Sequence, residues 1–450
     1  MTTVDHDRLD TLIRREAESY ACGHPRSRAM SPGGSLFGGV PMTWMAKWPG
    51  GFPLCVAEAR GNRLTDVDGH DYVDFCLGDT GAMAGHCPPP TVDAVRRQLD
   101  GGGLATMLPT EDASWVAGEL SRRFGLPQWS FSLTATDANR WAIRLARQVT
   151  GRPRILCFSY CYHGSVDETF VVLDRGQPRS RPGNVGAPVD PAVTTAVVEF
   201  NDVVALEQAL RAGDIAVVVA EPALTNIGIV LPEEGFHADL RRLTSETGTL
   251  LLIDETHTFS AGYGGCTREW SLRPDIVTIG KSIGGGVPCG AYGVSADLAA
   301  RIAAQPDADL IDVGGVGGTL AGNPLSTAAM RATLSDVLTA AAFDSMCTLA
   351  TRYTDGVRSV IDAHELPWSV TQLGARAEYR FTAPAPRTGG ESAAAADEAL
   401  DDYLHLYLVN RGILLTPFHN MALMCPATTA ADVDRHIEVF GAAVAELAGA

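Results

Sequence analysis

Long apolar runs are missing from this sequence. The longest, such as residues 215–220, fall far short of the about 18 residues needed to cross a bilayer, and the polar start carries no signal-peptide pattern. No membrane partner is expected, and a cytoplasmic location is. Runs of Lys or Arg are missing as well. With 53 acidic residues against 35 basic ones and a formal charge of −18, no phosphate-tracking stripe forms and no nucleic-acid partner is expected. The ten cysteines are scattered, as at Cys22, Cys55, Cys157 and Cys425, without the C-x-x-C pairs that build zinc or redox sites. Cys157 and Cys161 are close but lack companion ligands, so reduced thiols and no metal are expected.

What remains is an ordinary globular composition, 46% apolar and 20% charged, with a mean hydropathy of +0.04. A length of 450 residues suits one large domain and one smaller one. Residues 1–90 read as an N-terminal segment followed by a meander, with Asp68-Gly69 turning between Leu64–Val67 and Tyr72–Phe75. Residues 91–334 alternate short apolar runs with amphipathic segments, which implies an α/β domain on a largely parallel sheet. In Ala138–Gln148 the residues Ala138, Trp141, Ala142, Leu145 and Ala146 follow helical spacing and mark the face laid on that sheet. Residues 335–450 read as the rest of a smaller α+β domain, with a strand-like stretch over Trp368–Phe381 and an exposed loop over Ala383–Asp397.

The sharpest chemical feature is Asp275-Ile-Val-Thr-Ile-Gly-Lys-Ser-Ile-Gly-Gly-Gly286, where a buried strand delivers Lys281 into a glycine-rich turn. A nucleotide-binding loop also ends in Gly-Lys-Ser, but it needs glycine where Asp275 stands. A snorkelling surface lysine is the plain alternative. The preceding buried strand ends in Leu251-Leu-Ile-Asp254-Glu255, and a buried acid demands a partner. Asp254 reads equally as a helix cap. In Ser132-Leu-Thr-Ala-Thr-Asp137 the hydroxyls of Thr134 and Thr136 flank Ala135 at the start of the amphipathic helix, an anion cradle or an ordinary Thr cap.

With Tyr162-His163-Gly164, Glu221-Pro222, Asn226 and Gly318-Thr319-Leu-Ala-Gly322-Asn323-Pro324, these pieces together resemble the class III aminotransferases of fold type I, over about residues 50–440. Within that family the order of motifs is most similar to glutamate-1-semialdehyde aminomutase and to the β-amino-acid and D-phenylglycine aminotransferases. The resemblance implies a mostly parallel seven-stranded-type sheet in the large domain and pyridoxal 5′-phosphate (PLP) as cofactor. It implies that Lys281 carries PLP as a Schiff base and shuttles the proton, that Asp254 binds the pyridine nitrogen, and that Tyr162, beside His163, stacks on the ring. Thr134, Ala135 and Thr136 would hold the phosphate, Glu221 or Asn226 would lie near the ring substituents, and Thr319 would reach the phosphate of the partner subunit in a homodimer with shared sites.

The sequence departs from the family pattern in places. Ala135 replaces a glycine, and Thr256 replaces a small apolar residue, which makes one side of the ring site more polar. His257 either reaches the cofactor pocket or is a satisfied structural histidine. Gly38-Gly-Val-Pro-Met-Thr-Trp-Met45 lacks the arginine of the aminomutase pattern, which argues against glutamate-1-semialdehyde as substrate. Trp44 and Met45 offer either an apolar wall to the site or plain packing. The arginine that β-amino-acid enzymes place near Phe418 or His419 is absent too. Arg376 and Arg380 share one face of a period-2 strand and are the candidate carboxylate anchors, with a solvated face as the alternative for at least one of them. The leading expectation is a transaminase acting on a small-molecule amino donor and a keto acceptor. An aminomutase or racemase would use the same residues, and a binding protein without turnover is the reading from another class.

Overall fold

The computed structural model describes residues 6–30, 35–186, 190–305 and 315–449. The chain divides into two units, a larger one of residues 89–343 and 386–394, and a smaller one of residues 1–88, 344–385 and 395–450.

The larger unit is built on a seven-stranded sheet. In chain order its strands are β1 (Gln128–Ser132), β2 (Arg154–Phe158), β3 (Thr195–Val198), β4 (Ile215–Ala220), β5 (Leu250–Asp254), β6 (Ile276–Gly280) and β7 (Gly290–Val294). They lie side by side as β1-β7-β6-β5-β4-β2-β3. All neighbouring pairs are parallel except those of β7, which is antiparallel to β1 and β6. The central strands are uninterrupted apolar runs because both faces are covered: every residue of Ile-Ala-Val-Val-Val-Ala in β4 is buried. Helix α1 (Ala135–Thr150) covers one face with Ala138, Ala142, Ile143, Leu145 and Ala146, and Gly151, in the left-handed region, ends it. These residues join Val217, Val219, Leu250, Leu252 and Ile276 in one apolar cluster.

A doubly covered parallel sheet binds its ligands beyond the carboxyl ends of the strands. Thr134, His163, Glu221, Asp254 and Lys281 all follow or close a strand at that edge.

In the smaller unit, Arg63–Asp66 and Asp71–Asp74 pair antiparallel around the Asp68-Gly69 turn, and Ile413–Leu414 joins them parallel. The strand-like stretch 368–381 holds two antiparallel strands, Ser369–Leu373 and Arg376–Arg380, folded back at Gly374, where φ is 57°. The stretch 383–397, expected as an exposed loop, contains the helix Gly389–Ala394, which belongs to the larger unit. A Cβ at Gly389 would sit 2.3 Å from the carbonyl oxygen of Ser159, so glycine permits an approach that the composition of the stretch disguised as loop. Within the N-terminal segment the Gly/Pro-rich residues 31–41 begin with 31–34, which lie outside the described residues. Among the described residues no helix is long and apolar enough to cross a membrane.

Candidate active site

Asp254, buried at the end of β5, is the centre of a polar network. Its Oδ2 accepts from Nδ1 of His163 at 2.9 Å and from Nδ2 of Asn139 at 2.8 Å, while its Oδ1 accepts from the amide and hydroxyl of Thr256 at 3.0 and 2.6 Å. Burial alone pushes the Asp254 carboxyl up, but His163, Thr256 and Asn139 outweigh it and hold it below the usual carboxylate range. Burial works against charge on His163 too, yet Cys161 and Asp254 beside it hold its pKa well above the ordinary value. The result is a buried anion at a strand end, a group suited to a ring nitrogen that must keep its proton.

Asn139 carries no motif, but the site depends on it. Fully buried on α1, it also donates to the carbonyl of His163 at 3.1 Å and accepts from the Thr278 hydroxyl at 2.7 Å, tying helix, loop and sheet together. The available signal was a polar residue inside the apolar stripe formed by Ala138, Ala142 and Ala146.

The acid next to Asp254 has a different role. Glu255 is fully buried and accepts from the Thr258 hydroxyl, the Cys266 amide and the Thr267 amide and hydroxyl, so it closes a loop. Glu221, after β4, accepts from the amides of Tyr162 and Thr225 at 3.2 and 3.1 Å. Burial raises its pKa. The Tyr162 ring stands edge-on to Phe170 at 6.2 Å. Asn226 receives the Arg181 guanidinium on its amide oxygen at 2.6 Å, with the amide oriented by that bond.

The start of α1 is set by close backbone approaches. Thr134 caps α1 by accepting from the Asp137 amide at 3.1 Å. The first-turn amides that follow have no acceptor within the helix, so they form a donor cluster fit for an anion. Thr136 Oγ1 accepts from the Ser165 amide at 3.2 Å. A Cβ at Gly164 would lie 2.0 Å from that same hydroxyl, and one at Gly280 would lie 3.0 Å from Ala135. The lysine turn and the Tyr-His-Gly loop thus both close on the helix start, and Ala135 is accommodated there because Gly280 has no side chain. Gly164→Ala, with φ of 75° at that position, is expected to cost at least about 1–2 kcal/mol from the left-handed backbone. It should also weaken PLP affinity by displacing Thr136. Thermal melts and cofactor titration measure both.

Lys281 is one of only two lysines in the chain, the other being Lys47. Its φ is 52°, an uncommon backbone for a residue with a side chain. Its Nζ lies 2.8 Å from Nε2 of His257, which brings the two side chains together. Thr256 spends its hydroxyl on Asp254, so the polarity expected for the ring site goes to the carboxylate.

Thr319 is exposed on the turn before α2 (Pro324–Ala332), which Asn323 caps and Pro324 opens. The substrate candidates lie in the smaller unit. There Trp44 meets Phe418 edge-on at 5.8 Å, and Met45 is exposed. Arg376 and Arg380 share a face as expected, but that face is not solvated: both are buried, on either side of Glu378, which also pairs with His419 Nδ1 at 3.2 Å. Burial pushes Glu378 up, but His419, Arg376 and Arg380 outweigh it and hold it below its usual range. The two arginines therefore lie in a buried, charged setting that includes Glu378 and His419.

Residues 44–444 match the class III aminotransferase family. The chain belongs to that family. Its cofactor is PLP, and the site has what the cofactor requires: a lysine, a buried anion for the ring nitrogen and a helix start for the phosphate. Over 99% of both chains this class III protein is 48% identical, with a TM-score of 0.96, to a glutamate-1-semialdehyde aminomutase from Pseudomonas aeruginosa, one form of which was solved in complex with PMP. It is 34% identical over 412 residues to the glutamate-1-semialdehyde 2,1-aminomutase of Desulfitobacterium hafniense (strain Y51), covering 90% of this chain and 94% of the relative. A β-phenylalanine aminotransferase from Variovorax paradoxus is 26% identical with a TM-score of 0.84, over 96% of this chain and 97% of the other.

Proposed function

We propose that this enzyme moves an amino group within one amino-carbonyl substrate, as an aminomutase of the glutamate-1-semialdehyde aminomutase type, with Lys281 carrying PLP. The observation behind this reading is the 48% identity over 99% of both chains to the P. aeruginosa aminomutase. Transfer between a separate amino donor and keto acceptor is the second reading. It is favoured by Met45, which stands where the aminomutase pattern has arginine. For the same reason glutamate-1-semialdehyde itself is not the substrate proposed.

Bound PLP supplies an electron-withdrawing ring that makes the C–H bond of an attached amino compound acidic. Asp254 holds a proton at the ring nitrogen, and His163, Asn139 and Thr256 keep its carboxylate charged and fixed. Tyr162 would stack on the ring, and Glu221 or Asn226 would lie near its substituents. The first turn of α1, with Thr134, Ala135 and Thr136, binds the phosphate. Lys281 Nζ takes the Cα proton and returns it to a different carbon. The reading includes a homodimer in which Thr319 reaches the phosphate held by the partner subunit.

The test is a set of amino-aldehydes and amino-ketones offered to PLP-loaded protein with and without pyruvate or 2-oxoglutarate. Product with the amine on the neighbouring carbon and no acceptor present is expected. Strict dependence on the keto acid, with the amine found on it, would replace the aminomutase reading with transamination.

A further inference from the structure

We propose that His24, Asp66 and His70 form a binding site for a divalent ion of the zinc type, which ties the end of the helix His6–Gly23 to the Asp68-Gly69 turn. The inference is independent of the cofactor chemistry. The expectation of no metal rested on cysteine spacing, whereas these three residues are brought together only by the fold. Among the described residues they are the one group of three His, Cys, Asp or Glu whose ligand atoms all fall within 4.8 Å of one another. The distances suit zinc. Bonds of about 2.0–2.2 Å to nitrogen and oxygen in a tetrahedron put neighbouring ligand atoms about 3.3–3.6 Å apart. Oδ2 of Asp66 lies 3.5 Å from Nε2 of His24 and 3.3 Å from Nδ1 of His70. His24 and Asp66 are buried, while the half-exposed His70 has room to turn and close the gap between the imidazoles.

The ligands are already aimed. Nδ1 of His24 lies 2.7 Å from the Tyr20 carbonyl, which can only accept, so Nδ1 carries a proton and neutral His24 offers a lone pair at Nε2. Oδ1 of Asp66 accepts from the amides of Asp68 and His70, both at 2.9 Å, which leaves Oδ2 facing the histidines. Burial pushes the Asp66 carboxyl up, but the His70 amide, the Tyr72 hydroxyl and the His70 imidazole outweigh it and hold it below its usual range. Donors and acceptors do not balance here. The Tyr72 hydroxyl is 2.8 Å from both Nε2 of His24 and Oδ2 of Asp66, yet it has one proton for two acceptors. A metal ion on Nε2 and Oδ2 takes up the His24 lone pair and lets that proton stay with Asp66. His24, His70 and Tyr72 line a cleft of about 720 Å³, through which water can supply a fourth ligand. The arginines of that cleft are answered by acids, Arg411 by Glu16 and Arg435 by Glu438.

In the experiment, PLP-loaded protein is stripped with a chelator, given one equivalent of zinc and passed through a desalting column. One zinc ion per chain is expected to stay, and the melting temperature to rise above that of the stripped protein, because an ion held only by the folded chain stabilises it. X-ray absorption at zinc should show nitrogen and oxygen ligands at about 2.0–2.2 Å and no sulfur at about 2.3 Å. His70→Ala changes a half-exposed side chain, so the variant should fold. It is expected to bind zinc at least about 100-fold more weakly, since even the loss of an outer partner costs about 10–100-fold, and to lose the melting shift. Cys22→Ser, which removes an exposed thiol two positions before His24, is expected to bind zinc as wild type does. None of these readouts depends on turnover. Zinc washed out of wild type on the column would overturn the inference and assign the balancing charge to a proton on His24. Sulfur at the ion, a C22S that loses zinc or an H70A that keeps it would overturn the inference in favour of binding elsewhere.

Discussion

Lys281→Ala is expected to lower turnover about 10⁴-fold, the upper range for a positioned general acid–base group, while leaving PLP bound without a covalent link. The variant should take up cofactor through the α1 cradle and Asp254, since neither contact includes the lysine, and borohydride should fix none of it to the protein. Single-turnover absorbance measurements and dialysis of the loaded protein check both parts. The backbone adds a finer expectation. At φ of 52° alanine inherits the strain of the lysine, whereas glycine does not. Lys281→Gly should be as inactive as Lys281→Ala but more stable by about 1 kcal/mol in thermal melts of the apoprotein. A Lys281→Ala enzyme that keeps wild-type turnover would remove the lysine from the chemistry.

The second large effect is at Asp254. Removing one partner of a buried ion pair leaves the other charge without compensation, and Asp254→Ala is expected to cost about 3–5 kcal/mol. His163 would lose its acceptor and Asn139 one of its own. PLP affinity and turnover should both fall, because no anion would remain for the ring nitrogen. The pH dependence carries the same signature. Asp254 has a depressed folded pKa, so its stabilisation is fully present above the unfolded value of about 4 and is lost as pH falls through the lower folded value. His163 has a raised folded pKa, so its share is full below the unfolded value of about 6.5 and is lost only as pH rises through the higher folded value. The pair therefore stabilises most between those two limits. Asp254→Asn should flatten the acid limb of a plot of melting temperature against pH. An acid limb identical to that of wild type would mean that the carboxylate is not the anchor of this network.

Much of this was readable before the fold was known. Strands β4, β5 and β6 announce themselves as buried apolar runs, and glycines mark where β6 must turn, so Lys281 and Asp254 could be placed at strand ends from pattern alone. The contacts that give those residues their properties could not. Asp254 meets His163 across 91 positions and Asn139 across 115. Such pairings depend on which strands become neighbours, and local periodicity does not encode that order. Asn139 was visible as a polar interruption of an apolar stripe but carried no chemical motif. His257 reads as structural or functional from sequence, and its 2.8 Å contact with a residue 24 positions away is of the same non-local kind. Arg376 and Arg380 show the opposite limit. Period-2 spacing correctly put them on one face, yet alternation cannot say whether that face is wet, and the Glu378 between them was the neglected sign that it is not. The scarcity of lysine was in plain view: with only Lys47 and Lys281 to choose from, the cofactor lysine had a single rival.

That scarcity makes the decisive measurement simple. PLP-loaded wild-type protein is reduced with borohydride, digested and mapped by mass spectrometry. A cofactor adduct confined to Lys281 is the result expected from the strand-end turn, the Asp254 network and the α1 cradle together. An adduct on Lys47, or protein that takes up PLP and yields no lysine adduct at all, would contradict it.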